Sequence, residues 1–167
     1  MTPAFDPIAI IRSLDDHDVE CVLVGGLAAV LHGSPATTND ADIMPELSET
    51  NLTRLATALR SLEARLRVAS APGGVEFDPH PVLLASMKVL NTTTRFGDLD
   101  LTIAPAAIGD YAGVRSRAIE YDVDGVSVWV ASLDDVITSK EAADRPKDHA
   151  TLPILYALRD EIRRRGG

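Results

Sequence analysis

Residues 19–44 read VECVLVGGLAAVLHGSPATTNDADIM, and this stretch decides the fold. Val19–Val24 is a short apolar run of strand type, closed by Gly25-Gly26. Leu27–Leu31 then reads as helix and ends at His32-Gly33. After a turn-rich passage, Asp40–Met44 alternates polar and apolar residues, the period of a strand with one buried face. A strand, a glycine turn, a helix and a second strand bearing two aspartates point to an α/β or α+β domain.

Working outward, Asp6-Pro7 is a helix start, with Asp as N-cap and Pro at the first helical position, and the helix runs to about Asp16. Ser48 caps a long helix whose Leu52, Leu55, Ala56, Leu59, Leu62 and Leu66 follow helical spacing. Two strands are expected at Met87–Thr92 and Asp98–Ile103, joined by a turn at Arg95–Gly97. Pro105–Arg115 reads as helix. Ala118–Val123 and Val126–Ala131 flank Asp124-Gly125, a hairpin signal. Ser132 caps a helix to about Ala143, and Pro146 opens the final one, which Pro153 should kink or delay. No repeat or linker divides the chain, so residues 1–167 are expected to form one domain with a mixed sheet.

Hydrophobic residues make up 46% and charged residues 25%, a globular rather than a disordered mix, and with 4% aromatics the core must be aliphatic. No apolar run spans a bilayer, and MTPAFDPIAI lacks a basic region followed by an apolar one, so a cytoplasmic location is expected. Cys21, the only cysteine, lies in an apolar run and reads as a core residue. The four histidines show no metal-ligand spacing. A net charge of −9 argues against bulk capture of nucleic acid, although Arg145, Lys147, Arg159 and Arg163–Arg165 gather near the C-terminus. These arginines either form a local basic patch or complement the negative end of the last helix.

Four Asp-x-Asp pairs occur, at Asp16/Asp18, Asp40/Asp42, Asp98/Asp100 and Asp122/Asp124, in a chain whose 17 aspartates make such pairs by chance. The first lies at a helix exit and the last in a hairpin turn, where Asp is favoured locally. The middle two lie in strands, where alternate side chains share a face about 6–7 Å apart. Carboxylates gathered on one strand surface repel unless a cation neutralises them, and hard oxygen ligands suit Mg²⁺. Upstream, the Gly25-Gly26 turn at a helix start allows close approach of an anion such as phosphate. Solvated strand-face aspartates, and a glycine turn needed only for its dihedrals, remain the alternatives.

The order of strand, Gly25-Gly26, helix, His32-Gly33, Thr38, Asp40-x-Asp42 and a later strand with Asp100 resembles the nucleotidyltransferase superfamily with a polymerase-β-like core. The stretch SLDDVITSKEAADRPKDHATLPIL, Ser132–Leu155, is similar to a segment of the AbiEii/MenT group of bacterial toxin nucleotidyltransferases. The resemblance covers roughly Val19 to Leu158 and implies a mixed β-sheet flanked by helices, with further C-terminal helices. It implies that Asp40, Asp42 and Asp100 ligate Mg²⁺, with Asp100 able to serve as general base. It implies that Lys140 contacts the triphosphate of an NTP such as ATP, that Lys147 and Asp148 complete the pocket, and that Gly25, Gly26 and Thr38 line the phosphate site. Asp98 aligns less well. Two departures stand out: Ala36 where many relatives carry arginine, and Gly26 where other branches use serine.

The activity so implied is attack of an acceptor hydroxyl on the α-phosphate, with pyrophosphate leaving. The toxin group implies the 3′ end of tRNA as acceptor, a block of translation, and a cognate antitoxin as partner. Rival readings are transfer to a small molecule such as an aminoglycoside or to a protein side chain, a catalytically silent binding module, and an Asp-x-Asp phosphatase. A phosphate on Thr37 or Thr38 would set negative charge beside the aspartates and repel the triphosphate.

Overall fold

The computed structural model describes residues 3–105 and 107–166. In chain order the elements are α1 (Pro7–Asp16), β1 (Cys21–Val24), α2 (Gly25–Leu31), β2 (Asp40–Pro45) and α3 (Glu49–Ser61). There follow β3 (Arg65–Val68), β4 (Ala71–Val75), α4 (Pro81–Ser86), β5 (Val89–Thr94) and β6 (Gly97–Thr102). The chain closes with α5 (Tyr111–Arg117), β7 (Ile119–Val123), β8 (Val126–Val130), α6 (Leu133–Ala143) and α7 (Pro146–Gly166).

Helix starts follow their caps. The side chains of Asp6, Ser48 and Ser132 accept hydrogen bonds from the backbone of Ala9, Asn51 and Asp135 and open α1, α3 and α6. The β7–β8 hairpin turns on Asp124 and Gly125, both at positive φ, and the Asp122 carboxylate accepts from Gly125 N at 2.9 Å. The eight strands form one mixed sheet in the order β4-β3-β5-β6-β2-β1-β8-β7. Its pairs are antiparallel except β1 with β8 and β2 with β6. That is the mixed α/β class expected from the pattern.

Two registers position everything that follows. Parallel β2 and β6 set Asp40 opposite Asp98 and Asp42 opposite Asp100. Antiparallel β1 and β2 set Val24 opposite Asp42, so the turn after β1 arrives beside that carboxylate. Strand alternation sends Ala41, Ile43, Leu99 and Leu101 to the other face, where each is at most 1% exposed. Ile10, Leu52, Leu55 and Leu59 complete this aliphatic core, with α1 packed on β2 and β8 and against α3.

Several segments depart from the expectation. The helix from Ser48 does not reach Leu66: Glu63 adopts a left-handed conformation at φ 56°, and Leu66 pairs with Thr92 as part of β3. Leu66 lies four residues beyond Leu62, a spacing that fits a helix as well as it fits this strand. The β3–β4 hairpin was concealed by Pro72-Gly73-Gly74, residues depleted in strands but tolerated here because β4 is a sheet edge. Helix α5 starts at Tyr111, capped by Asp110, rather than at Pro105, since Ala107 and Gly109 take positive φ; Ala106 lies outside the described residues. The short α4 also went unanticipated. Pro153 is contained within α7, which runs as one helix. No described helix is long and apolar enough to cross a membrane.

Candidate active site

The aspartate-bearing face of β2 and β6 floors a cleft of about 860 Å³, walled by the Gly25-Gly26 turn, the Ser34–Asn39 loop and helices α6 and α7. Oxygens of Asp40, Asp42 and Asp100 lie within 4.8 Å of one another, a group among the described residues that could hold a metal ion. Burial and crowding show in the acidities of Asp42 and Asp100. Burial, then the charges of Asp40 and Asp100, push the Asp42 carboxyl up to about 7. Burial raises Asp100 as well, against the opposing pull of Arg67. Asp100 is 7% exposed, and its Oδ1 is buried without a hydrogen-bond donor. Three hard oxygen donors, one of them orphaned, fit a divalent cation such as Mg²⁺.

The glycine turn is built for close approach. Gly25 has φ +68°, and a Cβ there would collide with the Asp42 carboxylate, 3.0 Å from its Cγ. Helix α2 begins at Gly25 without a side-chain bond from its N-cap Val24, and a Cβ at Gly26 would meet Thr38 Oγ1 at 3.0 Å. Thr38 Oγ1 itself lies 3.2 Å from both the carbonyl oxygen and Oδ1 of Asp40. Thr38 thus ties the loop to the first aspartate. The far end of α2 is held by His32, whose Nε2 donates to the Ala131 carbonyl at 2.7 Å, leaving Nδ1 to accept from the Tyr121 hydroxyl.

The opposite wall supplies positive charge. Lys140, Arg145 and Lys147 line the cleft, and the charges of Lys147 and Arg145 act on Asp42. Asp148, expected to complete the pocket, sits behind these cations. It is fully buried and accepts from Arg145 through Nε at 2.7 Å, the backbone N at 3.2 Å and Nη2 at 3.3 Å. Lys140 Nζ lies 3.5 Å from Oδ1, the oxygen that also accepts from Arg145 Nη2. Burial pushes Asp148 up, but the Arg145 bonds and charge prevail and hold it below the usual carboxylate range. The Asp148 carboxylate thus faces Arg145 and Lys140 and is absent from the cleft lining.

Sequence reasoning missed Arg67, whose strand was read as helix; the alternating Arg65-Leu66-Arg67-Val68 was the available signal. Its guanidinium pairs with Asp98 at 3.2 Å and Asp100 at 3.0 Å, which brings Asp98 to the site as an ion-pair partner. Arg163–Arg165 stand apart from the cleft lining: Arg163 pairs with Asp134, and Arg164 and Arg165 with Glu161. Cys21 is partly buried against the core rather than within it, and desolvation pushes its thiol up to about 12.

A mixed sheet with paired aspartates on parallel neighbours, beside a glycine turn, is the arrangement expected from the resemblance to nucleotidyltransferases. The chain belongs to the family described as nucleotidyltransferase of unknown function (DUF6036), whose model matches residues 5–153, and this family match makes it a transferase enzyme. No curated protein sequence matches it. Among solved structures it is similar to the lincosamide antibiotic adenylyltransferase LnuA in its lincomycin-bound form, with a TM-score of 0.62 at 12% identity, covering 94% of this chain and 99% of that one. It is also similar to a nucleotidyltransferase from Thermotoga maritima, with a TM-score of 0.54 at 15% identity over 90% of this chain and 94% of that one. The antibiotic-resistance factor ANT(2'')-Ia gives a TM-score of 0.53 at 16% identity over 95% and 90%. At these identities the likeness is one of fold.

Proposed function

We propose that this nucleotidyltransferase, acting as one domain over residues 1–167, moves a nucleotide from an NTP to a hydroxyl of a small organic acceptor, with Mg²⁺ as cofactor. The observation that carries this reading is a single cleft of about 860 Å³ in which Asp40, Asp42 and Asp100 face Lys140, Arg145 and Lys147. That volume lies in the usual range for small-ligand pockets, roughly 300–1,000 Å³. The adenylyltransferase LnuA, lincomycin-bound, supplies a precedent of the same fold.

Asp40, Asp42 and Asp100 would hold Mg²⁺, which when bound offsets charge on the triphosphate and on the leaving pyrophosphate. The remaining work falls to the chain. Lys140, Arg145 and Lys147 gather the triphosphate, and Asp148 keeps Lys140 and Arg145 in place. The Gly25-Gly26 turn and Thr38 receive phosphate oxygens close to Asp42. The acceptor oxygen bonds to the α-phosphorus as the bond to the bridging α–β oxygen breaks and pyrophosphate departs. The Asp100 carboxylate takes the hydroxyl proton.

A second reading keeps the same chemistry with the 3′ end of tRNA as acceptor, in a toxin checked by a cognate antitoxin. It is favoured by the half-exposed Arg145 at the cleft wall, within the segment resembling the toxin group. Against it, the net charge is −9 and Arg163–Arg165 are already paired with acids. The test incubates the protein with Mg²⁺ and each α-labelled NTP in turn, offering lincomycin, tobramycin or total tRNA, with Asp42→Ala as control. Label in a small molecule, lost in Asp42→Ala, is the expected result. Label confined to tRNA would transfer the conclusion to the second reading, and transfer that survives Asp42→Ala would overturn both.

A further inference from the structure

We propose that Arg67 is a positioning residue of the transfer reaction, acting through Asp100. The inference rests on the reading that Asp100 belongs to the reacting set. β3 pairs with β5 through Leu66 and Thr92, and β5 pairs with β6 through Asn91 and Asp100. That double register carries Arg67 across the sheet face to the aspartates. Its Nη1 donates to the Thr92 carbonyl at 3.1 Å and lies 3.2 Å from Asp98 Oδ2. Its Nη2 donates to Asp100 Oδ2 at 3.2 Å.

The two oxygens of Asp100 are thereby made unequal. Oδ2 accepts the Arg67 hydrogen bond. Oδ1 lies 3.0 Å from Nη1, yet no N–H is aimed at it, and it is buried with no donor. An unbonded, buried carboxylate oxygen is costly, and it persists here because the planar guanidinium, anchored on Thr92 and Asp98, clamps its partner oxygen. Oδ1 stays closed to solvent beside Nη1, so the guanidinium sets the orientation of the whole carboxylate.

The clamp has a cost that a purely structural role would not carry. A fixed positive charge on Asp98 and Asp100 repels a divalent cation entering beside them. Arg67 therefore trades cation affinity for orientation of Asp100. A residue needed only for packing would show the opposite sign: its loss would loosen the carboxylates and weaken cation binding.

The experiment titrates Mn²⁺ into wild-type, Arg67→Ala and Arg67→Lys protein at pH 8 and low ionic strength, read by electron paramagnetic resonance. Beside it runs transfer from ATP to the acceptor found above, with pyrophosphate release to water measured in parallel. Arg67→Ala is expected to bind Mn²⁺ about tenfold tighter, since a repelling charge a few ångströms away is gone. Its kcat is expected to fall about 100-fold with little change in KM for ATP, and millimolar guanidinium to restore part of the rate. Arg67→Lys is expected to keep wild-type Mn²⁺ affinity, because it keeps the charge, while recovering less than about a tenth of kcat, because it lacks the fork. Unchanged or weaker Mn²⁺ binding by Arg67→Ala, or a kcat near that of wild type, would overturn the proposal. The Mn²⁺ arm needs no acceptor, so failure of the transfer reading, seen as an inactive wild-type protein, is distinguishable from failure of this one.

Discussion

Replacing Asp42 by Asn should make the metal-free protein more stable while destroying its activity. In the folded chain the Asp42 carboxyl titrates at about 7 instead of 3.8, because burial and the neighbouring Asp40 and Asp100 charges penalise its ionised form. A raised folded value means that the native state holds the proton more tightly than the unfolded chain. Its stabilising contribution is complete below about pH 3.8 and is lost as pH rises through about 7. At 1.36 kcal/mol per unit, the difference amounts to about 4 kcal/mol at pH 8. Asp40 and Asp100 share the same repulsion and relax when one charge is removed, so about 2 kcal/mol is the working expectation. Asn keeps the shape and carries no charge. In chelator at pH 8, urea unfolding of Asp42→Asn should therefore show a gain of about 2 kcal/mol, or roughly 4–8 °C in Tm for a chain of this size. The gain should shrink toward zero near pH 4. Saturating Mg²⁺ should stabilise wild type and leave the variant unmoved. A variant less stable than wild type at pH 8, or a gain equal at both pH values, would refute the electrostatic account of the cluster.

Gly25→Ala should abolish transfer and the Mg²⁺ response together, since a Cβ at φ +68° is strained and collides with the Asp42 carboxylate; calorimetric Mg²⁺ titration checks this. Asp148→Asn removes the buried charge that holds Lys140 and Arg145. It should cost about 3 kcal/mol of stability and raise KM for the NTP, measurable by denaturation and initial rates. Replacing Arg163–Arg165 with Ala should leave small-molecule transfer intact, because these side chains are paired with acids outside the cleft. If tRNA is the acceptor and these arginines grip it, the same change would flatten the salt dependence of RNA labelling.

Much of what lines the candidate cleft was legible because its signals are local. Asp40-x-Asp42 shows its shared face by alternation alone, and the Gly25-Gly26 turn announces itself by residues that few other conformations require. The same is true of the caps at Asp6, Ser48 and Ser132. The segment around Lys140 and Lys147 could be placed at the cleft only through its resemblance to a family, since nothing in its spacing says what it faces. Leu66 misled, because a leucine four residues after another satisfies helix and strand alike until a partner strand is known. Pro72-Gly73-Gly74 misled for a related reason: only the edge position of β4 makes those residues tolerable in a strand.

By itself, then, the chain determined which segments are strand or helix wherever a periodic pattern, a cap or a glycine turn acts over a few residues, and which carboxylates share a strand face. Tertiary structure alone decided that β2 and β6 lie side by side and in register, so that Asp42 and Asp100 meet. It also decided that Arg67 crosses from a distant strand to clamp Asp100, and that Asp148 turns inward to hold cations. The physical reason is the range of the forces. Local conformation answers to neighbours along the chain, whereas strand pairing is selected by burying Ala41, Ile43, Leu99 and Leu101 together, a term that exists only once distant segments have met.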